Sequence, residues 1–151
     1  METYQRAQRV LGWFVLLGAT VQFFLAGLAV FRAKPHDSDK LFESSAFNAH
    51  QVVGEALIVV SFALLVLAFL NRDQVRLALL LFVLMLVQYG LAKGGHKIAA
   101  LGGLHPVNGV LILVIAHFLA RGPKEARVRR RRPGREEPDE PATTATNPLQ
   151  S

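Results

Sequence analysis

The sequence predicts an all-α membrane protein: a four-transmembrane-helix, up-down-up-down bundle followed by a disordered cytoplasmic C-terminal tail. Three observations carry this reading. The 151 residues are 52% apolar and 19% charged, and charge is nearly absent from four long stretches while it gathers from Arg121 onward. Uncharged apolar runs of this length mark membrane spans. The 17 Lys/Arg residues are distributed unevenly between the connections on the two sides of those spans.

The first span is placed at about residues 10–31. Twenty-two helical residues rise roughly 33 Å, enough for a hydrocarbon core of about 30 Å. Arg6 and Arg9 precede it as the basic end of a signal peptide would, but the apolar run is too long and no small-x-small site follows. An uncleaved span is therefore expected. The second span covers about 49–70 and stops at Asn71-Arg72-Asp73; the third, about 75–92, follows so closely that the two must form a tight antiparallel hairpin. The fourth runs from about 105 to 120, with Pro106 expected in its first turn, where a missing N–H breaks no bond. Four spans with short connections give an up-down-up-down bundle as the simplest arrangement. No internal repeat is obvious along the chain.

With the N-terminus inside, Arg6, Arg9, Arg72, Arg76 and the basic tail residues lie on the inner side, while Arg32, Lys34, Lys40, Lys93 and Lys97 lie outside. The positive-inside rule then puts both termini in the cytoplasm. Residues 1–121 form the membrane domain and 122–151 the tail. The tail opens with the Arg127–Arg132 block and continues rich in Pro, Glu and Thr without apolar periodicity, which predicts disorder. Contact with anionic lipid headgroups explains the arginines better than nucleic-acid binding does.

Polar residues within the spans crowd toward one end. Gln22, His50, Gln51, Glu55, Gln88, His105 and Asn108 all fall in the outer half, contributed by all four helices, whereas the inner half is almost wholly Leu, Val, Ala and Phe apart from His117. Polar groups in hydrocarbon are costly, so this one-sidedness predicts a pocket opening outward. Glu55 is expected to face the bundle, protonated or paired with Gln88, Asn108 or a histidine.

The most specific pattern is His50 with Gly54 and His105 with Gly109, each a histidine followed one turn later by glycine on the same helical face. The second and fourth helices of such a bundle are diagonal and parallel, so the two imidazoles can face each other across the interior. That is the geometry for binding one haem b, with the glycines leaving room for a flat ring and Asn108, Gln51 and Gln88 orienting the ligands. Loop cations (Arg32, Lys34, Lys93, Lys97 and His96) are placed to meet propionates, and a quinone or a membrane redox partner would exchange electrons. His117 lacks a partner for a second haem, and His36 reads as a solvated loop residue. Two other readings stay open: a proton-linked small transporter or sensor using Glu55 without haem, and a structural subunit of a larger membrane complex. Zero cysteines exclude disulfides, iron–sulfur clusters, thiolate zinc sites, covalent CxxCH haem and thiol nucleophiles. No HExxH, Walker, GxSxG or dinucleotide fingerprint is present.

The segments Phe47-Asn48-Ala49-His50 with Gly54, and Gly103-Leu104-His105-Pro106-Val107-Asn108-Gly109, resemble those of an uncharacterised family of small four-helix membrane proteins from actinobacteria. The resemblance spans roughly residues 5–120 and implies a plasma-membrane location and no established activity. More distantly, the paired histidines resemble those of membrane b-type cytochromes and of one half of haem A synthase. The chain departs from the synthase in having half its helices, and in carrying Gln51 after His50 where that family's Glu-x-x-His-Arg pattern has arginine.

Overall fold

A computed structural model describes residues 2–32, 44–95 and 97–122. The predicted disordered tail, with its Arg127–Arg132 block, and the loop residues Lys34, His36, Lys40 and His96 lie outside the described residues. The chain forms four helices: α1 (Glu2–Arg32), α2 (Ser45–Asn71), α3 (Val75–Gly95) and α4 (Ala99–Arg121). All four are long and apolar enough to cross a membrane. Large apolar side chains such as Phe14, Leu17, Phe24, Phe62 and Phe118 are exposed on the outside of the bundle, as suits a lipid bilayer.

The helices pack as a ring in which α1 meets α2 and α4, and α3 meets α2 and α4, leaving α1 opposite α3 and α2 opposite α4. Leu64, Leu81, Leu119 and Val15, one from each helix, are fully buried and form the centre of the core. On α2 the buried positions Leu57, Ser61, Leu64, Leu65 and Ala68 recur at three- and four-residue steps, one face of a helix. Ser61 is tolerated there because its hydroxyl donates to the Ile58 carbonyl at 2.7 Å. Two bundle ends result: a terminal end, where α1 begins and α4 stops, and a histidine end.

Helix ends follow local chemistry. Ser44 caps α2, its side-chain oxygen accepting from the Phe47 amide at 3.2 Å. The α2–α3 turn is as tight as the sequence predicts and needs left-handed backbone at Arg72 (φ 54°) and Gln74 (φ 52°). Gln8 of α1, almost fully buried, donates to the Asp73 carbonyl at 3.1 Å and so fastens α1 to that turn. This bond explains why α1 begins at Glu2, well before the expected residue 10: the polar first turns have no Gly or Pro to stop them and have a partner to hold. At the other hairpin α4 starts at Ala99, so Pro106 lies two turns inside the helix rather than in its first turn. Packing overrides this start signal, since Leu101 covers Gly94 and Gly102 lies against Gly95 before the proline is reached.

Glycines set how closely the helices approach. A methyl group placed on Gly12 would sit 2.8 Å from the Ala120 nitrogen, so α1 and α4 touch backbone to backbone at the terminal end. Gly27 has nothing within 4 Å of the same position. Gly12→Ala is therefore expected to destabilise the bundle by about 1–3 kcal/mol through overpacking. Gly27→Ala should leave it unchanged or raise it by up to about 1 kcal/mol, the helix-propensity gain. Thermal melts of the two variants in detergent check this, and equal melting temperatures would refute the close α1–α4 crossing.

Candidate functional site

The polar residues that the sequence gathers into one half meet at the histidine end. His50, in the second turn of α2, and His105, in the second turn of α4, face each other along the α2–α4 diagonal with ring centres 6.1 Å apart and planes inclined at 57°. Each ring is held by the neighbouring helix through the same bond: His50 Nδ1 lies 3.2 Å from the Gln22 main-chain carbonyl, and His105 Nδ1 lies 3.2 Å from that of Gln88. A carbonyl only accepts, so Nδ1 carries the proton in both rings and Nε2 keeps its lone pair when the ring is neutral. Phe47 stacks beside His50, ring centres 6.3 Å apart.

The surrounding amides confirm the assignment at His105. Asn108, buried, donates from Nδ2 to the Leu84 carbonyl at 2.9 Å and to Gln88 Oε1 at 2.7 Å. Gln88 Oε1 is thus the acceptor end of its amide, and Gln88 Nε2, 3.1 Å from His105 Nε2, must donate to it. At His50 the glutamine turns the other way: Gln22 Nε2 donates to the His50 carbonyl at 2.8 Å, leaving Gln22 Oε1 buried without a partner among the described residues.

A cleft of about 580 Å³ opens beside the two rings. This is within the roughly 300–1,000 Å³ of small-molecule and cofactor sites. Its deep wall is apolar, built by Ala19, Leu57, Met85 and Ile112, and its rim carries Gln51, Glu55 and Lys93. Lys93 also sits 5.4 Å from the Tyr89 ring centre. Of the predicted pocket residues, Gln22, Gln51, Gly54, Glu55, Gln88, Gly109 and both histidines line the cleft, and Asn108 supports it from behind.

Two placements differ from the expectation. Glu55 is exposed on the outward flank, because His50 and Gly54 already take the inward face and Glu55 lies about 100° further round the helix. The glycine notches are filled: Gln22 Nε2 stands 2.9 Å from where a Gly54 methyl would be, and the Phe23 ring stands 3.0 Å from that of Gly109. Gly54 and Gly109 therefore admit protein side chains, and a flat ring reaches them only if Gln22 and Phe23 turn aside. Sequence reasoning passed over Phe23 and the main-chain role of Gln22. The signal available for both was Val21-Gln22-Phe23 on α1 matching Val87-Gln88-Tyr89 on α3.

Among the described residues no cluster of three or more His, Asp or Glu side chains could hold a bare metal ion. Among the described residues the site offers two imidazoles. No curated protein and no solved structure matches the chain. Residues 22–95, just under half the length, match the model of a family of unknown function, DUF6220, a stretch that contains Gln22, His50 and Gln88. Over that stretch the chain is similar to an uncharacterised family, and its own four helices are of membrane length.

Proposed function

We propose that the chain is a small haem b-binding electron-transfer protein of the bacterial plasma membrane, with His50 and His105 as axial ligands. The observation that carries this is the spacing of two imidazoles from opposite helices, each with Nδ1 bonded to a main-chain carbonyl. Metal–nitrogen bonds of about 2 Å on either side, with roughly 1 Å more to each ring centre, put the rings of a bis-histidine pair about 6 Å apart. The 6.1 Å found across the α2–α4 diagonal agrees. A bare divalent cation asks for three or four protein ligands, whereas haem brings four in-plane nitrogens and asks the protein for two.

When bound, haem supplies one-electron redox chemistry, and the protein tunes it by burial and by the hydrogen bonds to its ligands. The Gln22 and Gln88 carbonyls hold the rings in the ligating tautomer. Lys93 at the rim suits a propionate. By the distribution of Lys and Arg, the histidine end faces outward and the termini inward, so electrons would pass to a quinone or a membrane partner on the outer side.

Absorption spectra of the detergent-purified protein, oxidised and then reduced with dithionite, test the reading together with a pyridine haemochrome assay. A Soret band, sharp reduced α and β bands and close to one haem per chain are expected. A colourless protein after expression with added haem precursor would overturn haem ligation. In that case Glu55→Gln separates the remaining readings, since it should stop proton-linked transport and leave a purely structural subunit unaffected.

A further inference from the structure

The two hairpins, α1–α2 and α3–α4, share more than their direction. Buried positions of α1 pair in order with those of α3: Gly12 with Ala78, Val15 with Leu81, Ala19 with Met85. In α2 and α4, Leu57 pairs with Ile112, Ser61 with Ala116, Leu64 with Leu119 and Leu65 with Ala120, all buried and in the register that aligns His50 with His105. Five residues are identical between residues 50–65 and 105–120, namely His50/His105, Val52/Val107, Gly54/Gly109, Val59/Val114 and Leu64/Leu119. Val21-Gln22 and Leu25-Ala26 repeat as Val87-Gln88 and Leu91-Ala92. The contacts repeat as well: the 3.2 Å bond from His Nδ1 to the glutamine carbonyl occurs in both halves. In both, the glutamine Nε2 also lies beside the glycine one turn past the histidine, 2.9 Å and 3.5 Å from where a methyl group on that glycine would be. The four deep-wall residues of the cleft are two such pairs, Ala19 with Met85 and Leu57 with Ile112. The cleft therefore lies on a pseudo-two-fold axis along the bundle.

Against that symmetry one contact stands out. Asn108 has Val53 as its equivalent, and it is Asn108 that grips Gln88 Oε1 and turns Gln88 Nε2 onto His105 Nε2. The first half has no such grip, and Gln22 folds back onto the His50 carbonyl instead. We infer that the chain is a tandem duplication of one helical hairpin carrying one histidine half-site per copy, and that Asn108 makes the copies unequal by holding Gln88 as a cap on His105. This rests on the haem reading for its consequence: His50 is the permanent ligand, and His105 is the exchangeable one, because an incoming metal must compete with the Gln88 amide for its Nε2. Gln88 and Asn108 are positioning residues that act through His105.

The variant that tests this is Asn108→Val, which gives the second copy the residue of the first. Reduced, haem-loaded wild-type protein is expected to exchange His105 for carbon monoxide, followed at the Soret band. Asn108→Val should do so about fivefold to tenfold more slowly, the weight of one ordinary hydrogen bond. Val53→Asn, which builds the cap in the first half, should speed the exchange. A readout without haem comes from imidazole ¹⁵N resonances of the haem-free protein. The two Nε2 signals should differ in wild type and converge in Asn108→Val. A haem-loaded Asn108→Val protein with wild-type exchange, or Nε2 signals that stay apart, would overturn the cap. Absence of a haemochrome in wild type would overturn haem ligation and the exchange role while the ¹⁵N result still decides the cap.

Discussion

Replacing His50 or His105 by alanine is expected to abolish the low-spin haem spectrum and to cut haem content by at least about tenfold, the scale set by weaker perturbations of metal sites. Each imidazole donates from Nδ1 to a main-chain carbonyl of a neighbouring helix at 3.2 Å, and His105 also accepts at Nε2 from Gln88 Nε2 at 3.1 Å. Losing such bonds costs only about 1 kcal/mol each, too little to unfold the bundle. The variants should therefore elute and melt much as wild type does, apart from whatever stability the haem itself contributes. Exogenous imidazole at millimolar concentration should enter the vacated position and restore part of the low-spin spectrum. A structural role for the rings predicts the opposite pattern, with stability lost and no rescue by imidazole. If both variants retain wild-type haem content and spectrum, the histidines are not the ligands.

The sequence made the architecture legible because apolar runs and charge placement are dictated by the bilayer, a solvent that leaves few alternatives. Four spans, the tight Arg72–Gln74 turn and the facing of His50 and His105 across the α2–α4 diagonal all follow from lengths and directions alone. Other features depend on packing that sequence position does not reveal. Glu55 sits one residue beyond Gly54, and the rotation per residue is enough to turn it from the interior to the flank. Pro106 reads as a helix start, yet the Gly95–Gly102 contact begins α4 two turns earlier. The likeness of the two hairpins is faint in the sequence because they share burial and hydrogen bonding more than residue identity: Val15 answers Leu81, and Ser61 answers Ala116. Histidine and glycine keep their types in both halves, and the HxxxG pattern therefore stands out in the sequence.

Gly95→Val is expected to destabilise the protein and, unlike other destabilising changes, to empty the site. A methyl group on Gly95 would lie 2.8 Å from Gly102 Cα and 3.1 Å from Gly102 N, backbone atoms that can yield only if α3 and α4 separate. Overpacking of this kind costs about 1–3 kcal/mol, and a branched side chain is at the upper end. Gly102 lies one turn before His105 on the same face of α4, so separation there draws His105 away from the Gln88 carbonyl and from His50. Haem affinity should fall roughly tenfold or more, in the range seen when the support of a ligand is removed. Gly90→Ala, on the same helix with nothing within 4 Å, should change neither property. Gly12→Ala makes the decisive comparison. It jams an equally close backbone crossing, 2.8 Å to Ala120 N, at the terminal end of the bundle. If lost stability alone emptied the cleft, Gly12→Ala and Gly95→Val matched for melting temperature would lose haem alike. If instead the α3–α4 crossing sets the distance between the imidazoles, Gly12→Ala melts earlier and keeps its spectrum, and Gly95→Val loses both.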